Sequence, residues 1–222
     1  MTTFQRARSE EQREIRRRAI LETTATMLAE TPVADISLNE LSRRVGLAKS
    51  NVLRYFESRE AILLDLLDQL AHDLFVEIRT ELPAAVDPGD DLRQRVSSAA
   101  TTAAAAIARH EMLCELVSAQ AGVLEHNVTA ETVTRYKRAG YASLAGFADV
   151  LHQVIPELTG PQAAEAARAI LIAVGAYWTH AHPPKAVQET YELDPTLVFL
   201  PDGFQGSLER VIAVLILGVL TA

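Results

Sequence analysis

Apolar residues recur at spacings of three and four along nearly the whole chain, the period of helices packed on one side. Ile20, Leu21, Thr24, Met27 and Leu28 form one stripe and predict a first helix over about residues 10–30, which Thr31-Pro32 ends. Ser37 and Glu40 stand at capping-box spacing, with the Ser hydroxyl placed to accept from the N–H three residues on and Glu40 placed to reach back. Leu38, Leu41 and Val45 follow as one apolar face, and Gly46 supplies a left-handed stop. Leu47 then plugs the turn, and Ala48 to Tyr55 make a second short helix. Val52 and Phe56 hold that helix to a core, so Lys49, Ser50, Asn51 and Arg54 lie outside.

The pattern continues as helices to the end. Ser58 caps a fourth, carrying Ile62, Leu63, Leu66, Leu67, Leu70, Leu74 and Ile78 to about Glu81, where Pro83 and the cluster at residues 87–91 break the chain. Residues 97–108, rich in Ala and Thr, predict a fifth helix because Ala has the best helix propensity. Residues 110–123 make a sixth, and Asn127 or Thr129 opens a long seventh that ends near Ile155-Pro156. Thr159-Gly160-Pro161 opens an eighth running to about His180. Residues 183–202, with Pro195 and Pro201, read as a long loop before a last helix from about Gly203 to Thr221. The expected fold is all-α, about nine helices, divided into a helix-turn-helix part over residues 10–60 and a helical body over residues 61–222.

Two helices of the body predict a partner copy. Val211, Ile212, Val214, Leu215, Ile216, Leu217, Val219 and Leu220 cover every side of the last helix, whereas a surface helix is apolar on one stripe only. The eighth carries Ala163, Ala166, Ala167, Ile170, Ala173, Val174 and Gly175, small enough for tight contact. Residues 161–180 and 203–221 are therefore expected to form a homodimer interface; a central core of a single copy is the alternative.

Charge sharpens the division. The net charge of −8 argues at first against a nucleic-acid partner, yet residues 1–60 hold 11 Lys/Arg against 9 Asp/Glu, and residues 61–222 hold 10 against 20. Arg6, Arg8, Arg13, Arg16, Arg17 and Arg18 form a basic leader, either an arm along phosphates or a helix face paired with Glu10, Glu11 and Glu14. The outward groups of the second short helix suit a duplex. Lys and Arg neutralise phosphates, Arg pairs with guanine O6 and N7, Asn pairs with adenine N6 and N7, and the Tyr55 hydroxyl reaches a phosphate. Cys114 stands alone, so no intrachain disulfide exists; a reducing compartment is expected, with an intermolecular bridge as the alternative. The N-terminal sequence lacks the apolar core of a signal peptide, and the apolar run at residues 211–220 is about half the ~20 residues a membrane helix needs. The expectation is a cytoplasmic protein with no membrane partner.

The segment Gly46-Leu-Ala-Lys-Ser-Asn-Val-Leu-Arg-Tyr-Phe-Glu-Ser-Arg-Glu60 resembles the signature of the tetracycline-repressor (TetR) family of transcriptional regulators, and the likeness runs over about residues 13–74. The resemblance implies a three-helix DNA-binding domain, a long fourth helix, a helical ligand-binding domain, a homodimer and a near-palindromic operator. It places DNA contacts on Ser37, Lys49, Ser50, Asn51, Arg54, Tyr55 and Arg59. Two positions depart from it. Ala48 replaces the usual Ser/Thr cap, a loss of about 1 kcal/mol, and Leu53 stands where a Tyr is common, so the base preferences of relatives do not transfer.

The resemblance further implies a pocket whose small organic effector shifts the DNA-binding parts. For its lining the sequence offers Phe75, Met112, Gln120, Tyr136, Tyr141, Phe147, Tyr177 and Trp178. Metal and catalytic readings are weak. Asp149 and His152 lack the second Glu-x-x-His a di-metal bundle needs, His180 and His182 flank a helix end, and Cys114 near His110 lacks an activating partner. No cofactor, metal or enzyme activity is expected. The favoured function is a repressor released from its operator by a small molecule; the alternative is an all-helical small-molecule binding protein without DNA binding.

Overall fold

The computed structural model describes residues 2–221, with side chains from residue 10 onward. Every regular element among them is helical, and they fall into two compact units.

The first unit comprises the chain up to Gln69 together with Ala119–Lys137. It contains α1 (Thr2–Leu28), a 3-10 turn at Val33–Asp35, α2 (Leu38–Val45), α3 (Lys49–Val52) and the first part of α4 (Arg59–Ala85). Its core is built from Ile20, Met27, Val33, Ile36, Leu41, Val52, Phe56, Ile62 and Leu63, all buried. The stripe read from α1 includes a polar member, Thr24; its buried hydroxyl donates to the Ile20 carbonyl at 2.8 Å, so no polar group is left unpaired. Arg6 and Arg8 of the basic leader lie outside the residues whose side chains are described.

The second unit comprises Leu70–Ser118 and the chain from Arg138 onward. It holds the rest of α4, α5 (Leu92–Arg109), α6 (Glu111–Ala119), most of α7 (Ala130–Val154), α8 (Gly160–Ala181), α9 (Lys185–Leu193) and α10 (Gly203–Thr221). Asp91 caps α5 by accepting from the Gln94 N–H at 2.9 Å. Thr159 and Gln162 form a complete capping box on α8. The Ala-rich stretch is no low-complexity segment: Ala99, Ala100, Ala103, Ala104 and Ala106 are fully buried, and α10 packs most extensively on α5 and α8 through Leu208, Ile212 and Ile216. Small side chains on α5 and α8 let the third helix approach closely.

Three expectations change. Pro83 does not end α4, which continues to Ala85; in the last turn a proline forfeits one backbone bond near an end where bonds are already missing. The stretch at residues 183–202 is no plain loop, because it contains α9 and a 3-10 turn at Pro195–Leu197, giving ten α-helices among the described residues. Finally, α10 as a whole is long and apolar enough to cross a membrane by length and composition, although its apolar run alone is short. Its apolar residues divide between the core and the surface. Leu208, Ile212 and Ile216 point into the core, whereas Val214 is 60% exposed.

Candidate nucleic-acid interface

The geometry of the site begins with the two turns that bracket α2. The Ser37 hydroxyl accepts from the Glu40 N–H at 3.2 Å. The reciprocal half of the expected capping box is replaced: the Glu40 carboxylate accepts from Arg43 at 2.9 and 2.6 Å and from Arg44 at 3.0 Å. Those hydrogen bonds hold its pKa down to about 2. Gly46 ends the helix at φ 71°, ψ 29°, its N–H donating to the Arg43 carbonyl while that of Leu47 donates to Ser42. Only glycine takes this conformation without steric cost, and it fixes the angle at which the chain enters α3.

Ala48 occupies the N-cap of α3 with extended backbone and no side-chain cap bond, as its identity dictates. The helix proper is one turn, but helical bonds continue it to Phe56: Leu53 N–H donates to Lys49, Tyr55 to Val52, and Phe56 to Val52. Val52 and Phe56 are buried, while Lys49, Ser50, Asn51 and Arg54 are exposed together on the outward side. Ser37 is exposed at the start of α2, and Tyr55 is half-buried. Arg59 is tethered more than expected: its guanidinium donates to the Ile36 carbonyl at 2.8 Å and to Glu60 at 3.0 Å, tying the 3-10 turn to α4.

Two devices of this unit escape a reading of the sequence. Arg17, read either as part of an arm along phosphates or as one of a helix face paired with Glu10, Glu11 and Glu14, lies 4.0 Å from Glu14 and turns inward. It donates to the Tyr55 carbonyl at 2.9 Å, pairs with Asp65, and lies 4.3 Å over the Phe56 ring, bracing the back of the recognition turn. Arg13, Arg16 and Arg18 remain exposed. The start of α7 is bound in as well: Glu57 accepts from the Thr129 N–H at 2.7 Å and from its hydroxyl at 3.0 Å, and Arg135 reaches Asp65 at 3.1 Å. The signal for both is long-range charge pairing, which has no local sequence pattern.

The residues offered for a ligand pocket fall in both units. Gln120 lies in a π-helical turn (Gln120–Leu124) and donates to Glu125 at 2.8 Å; Tyr136 stands nearby, its hydroxyl pushed up in pKa by burial first, then by Glu125 and Asp68. Both belong to the first unit. In the second, Phe75 and Phe147 pack on the core, Met112 and Tyr177 are half-buried, and Tyr141 is 64% exposed. Trp178 is a structural anchor. Its indole N–H donates to Glu115 at 2.9 Å, and its ring meets Phe204 edge-on at 5.1 Å. A cleft of about 430 Å³ lies elsewhere, lined by Ser97, Ala100, Asp202, Gly206, Glu209, Arg210 and Ala213, and contains none of the eight.

Three of the histidines weighed for metal or catalytic roles have polar partners. His152 Nδ1 lies 2.5 Å from the Leu158 carbonyl, His182 Nδ1 lies 3.0 Å from that of Trp178, and His110 Nε2 lies 2.6 Å from Glu77. Among the described residues no three His, Cys, Asp or Glu side chains gather as a metal site. Cys114 is buried, which pushes its thiol up to about 12.

Comparison with known proteins gives two family matches. Residues 20–66 match the family described as "Bacterial regulatory proteins, tetR family", and residues 68–222 match "Tetracyclin repressor-like, C-terminal domain". The HTH-type transcriptional regulator EthR of Mycobacterium tuberculosis is 38% identical over 71 residues, 31% of this chain and 33% of that protein, so the match spans about a third of the relative's length. A TetR-family regulator structure from Mesorhizobium loti superposes with a TM-score of 0.56 at 14% identity, over 94% of this chain and 96% of that one. A structure described as a possible TetR family regulator from Streptomyces coelicolor A3(2) gives 0.56 at 16%, over 91% and 97%. At such identities these two show the shared fold alone, but the two family matches together cover nearly the whole chain. The chain belongs to the TetR family of transcriptional regulators.

Proposed function

We propose that this regulator binds a near-palindromic operator as a homodimer, setting the α3 turn of each copy into the major groove, and that it acts as a repressor released by a small organic effector. The observation that carries the reading is the α3 turn itself: its apolar residues, Val52 and Phe56, are buried, and Lys49, Ser50, Asn51 and Arg54 stand together in solvent. Lys49 and Arg54 neutralise phosphates or read guanine, Asn51 reads adenine, and Ser37, Ser50, Tyr55 and Arg59 lie close by in sequence for backbone contacts.

Two copies suit that geometry, because recognition helices one helical turn apart, about 34 Å, meet successive major grooves. The dimer is supported by the outward faces of α8 and α10, where Ile172 is 73% and Val214 60% exposed beside the small residues Ala176 and Gly218. An apolar face interrupted by small residues is what a second pair of helices needs for close packing. We read α10 as a core and interface helix of a cytoplasmic protein, not a membrane span. The effector would occupy the helical body and favour a spacing of recognition turns that misses the half-sites.

The test is DNA binding by the full chain to duplexes recovered by genome-wide capture. Lys49→Ala and Arg54→Ala are each expected to weaken binding and to lower the salt slope by about one, with fold and mass intact. Wild-type protein that enriches no duplex would overturn the reading in favour of a helical binding protein; mutants that bind like wild type would overturn the α3 turn as the contacting element. A monomer mass by light scattering at micromolar concentration counts against the dimer. Unchanged DNA affinity across a broad screen of small organic molecules counts against the effector.

A further inference from the structure

Leu53 is a leucine placed where a protein surface gains nothing from one. It lies in the turn that follows α3 and is 41% exposed. Its backbone N–H donates to the Lys49 carbonyl at 3.0 Å, so the chain holds it in helical geometry. Residues one turn apart share a face, which sets Leu53 beside Lys49 and Ser50, with Arg54 adjoining. All three are exposed. The core-facing positions of the same turn are filled by Val52 and Phe56. Leu53 is therefore the apolar member of an outward face made otherwise of hydrogen-bonding groups.

The chemistry of a duplex gives such a residue one good partner. The major-groove edges of the bases present acceptors at N7, O6 and O4, amino donors, and a single apolar group, the 5-methyl of thymine. An isobutyl group set against a polar edge strips water from it and returns no hydrogen bond, a net cost. Set against the methyl, it buries carbon on carbon. A tyrosine here could reach a phosphate with its hydroxyl; leucine cannot, so the position exchanges a sequence-blind contact for a discriminating one. We infer that Leu53 is a specificity-determining residue that reads a thymine methyl group in each half-site. The inference rests on the reading of the α3 turn as the DNA-contacting element.

The experiment selects duplexes from a random library with full-length wild type and with Leu53→Ala, then repeats binding on the wild-type consensus with each thymine replaced in turn by deoxyuridine, which removes only the 5-methyl. The expected result is a symmetric pair of thymines in the wild-type consensus whose preference collapses in L53A while the other positions hold. Deoxyuridine at that pair is expected to weaken the wild type about fourfold per half-site, the effect of one buried methyl, and to leave L53A unaffected. If L53A binds too weakly for selection, Leu53→Val replaces it and is expected to show a reduced deoxyuridine effect. Identical base preferences for wild type and variant, or deoxyuridine tolerated at every thymine, overturn the role of Leu53 and leave DNA binding standing. Failure of the wild type to enrich any duplex overturns both.

Discussion

The α3 turn and α9 are both short, exposed helical segments, yet they are held by opposite means. α3 buries its apolar residues, Val52 and Phe56, and shows polar groups to solvent. It is braced from behind by Arg17, which bonds the Tyr55 carbonyl and lies over the Phe56 ring. α9 buries no residue, packs on the 3-10 turn that follows it, and exposes apolar side chains: Leu193 is 88% exposed, with Leu197 and Phe199 beyond it also in solvent. Nine residues without a buried face are too few for a helix stable by propensity alone. Exposure by itself therefore says little about purpose. Polar exposure on a buried anchor is a rigid surface offered to a partner, whereas apolar exposure without an anchor is an element with little holding it to its own chain.

The largest expected effect lies at the anchor. Phe56→Ala removes the buried ring that fixes the α3 turn and the surface under Arg17, and is expected to destabilise the first unit by about 3–5 kcal/mol. Denaturant unfolding measures it. A loss below about 1 kcal/mol would mean that the turn is no better anchored than α9 and would erase the contrast. Next comes the missing cap. Ala48 has the extended backbone of an N-cap but no side chain to accept a hydrogen bond. Ala48→Ser is expected to stabilise the unit by about 1 kcal/mol. An unchanged unfolding midpoint would show that the N-terminal N–H groups of α3 are already satisfied in another way.

The same contrast explains what could be read from the sequence. The α3 turn was legible because each of its determinants is local: the Ser37 cap, Gly46 at positive φ, and two apolar residues four apart. The all-helical class and the solvent-facing side chains of the α3 turn follow from the same short-range rules. Arg17 was not legible, since a basic residue inside a run of arginines reads as solvated and its partners Tyr55 and Asp65 lie 38 and 48 residues away. The Glu57–Thr129 pairing, spanning 72 residues, is hidden for the same reason. α9 was missed because helix recognition rests on a buried stripe, which it lacks, and because Pro183, Pro184 and Pro195 read as loop; Pro184 in fact sits at its N-cap, where a proline costs nothing. Aromatic residues in a helical body are anchors first, as Trp178 is.

A smaller effect tests α9 directly. Leu193→Ala removes a side chain that touches little of its own chain and is expected to change unfolding free energy by no more than about 0.5 kcal/mol, an order below Phe56→Ala. Amide hydrogen exchange should agree, with α9 amides among the fast-exchanging ones and those of Leu53 and Phe56 protected. Strong protection of α9 in the native protein, lost on dilution to monomer, would instead show that a second copy covers it.

The smallest effect concerns charge, where both segments offer an exposed ion pair. On α9, Lys185 and Glu189 approach to 3.6 Å at side-chain exposures of 89% and 58%; such a pair is worth little, and Glu189→Gln is expected to be silent at every pH. On α2, beside the recognition turn, Glu40 accepts hydrogen bonds from two arginines, and those bonds draw its pKa from 4.5 to about 2. A carboxylate whose pKa is lower folded than unfolded releases its proton more readily in the folded chain, so its contribution is complete above about 4.5 and fades as pH falls toward 2. Glu40→Gln should therefore flatten the acid limb of the stability profile across that window and do nothing between pH 6 and 8 beyond a constant offset. A partly exposed side chain in a surface ion pair keeps the amplitude small, and added salt should shrink it further. An acid limb identical in wild type and E40Q would mean that the arginines are not held by Glu40 in solution. Arg43 would then be as free as Lys185 and available to phosphates, while Arg44 would keep its bond to Glu30 at 2.5 Å.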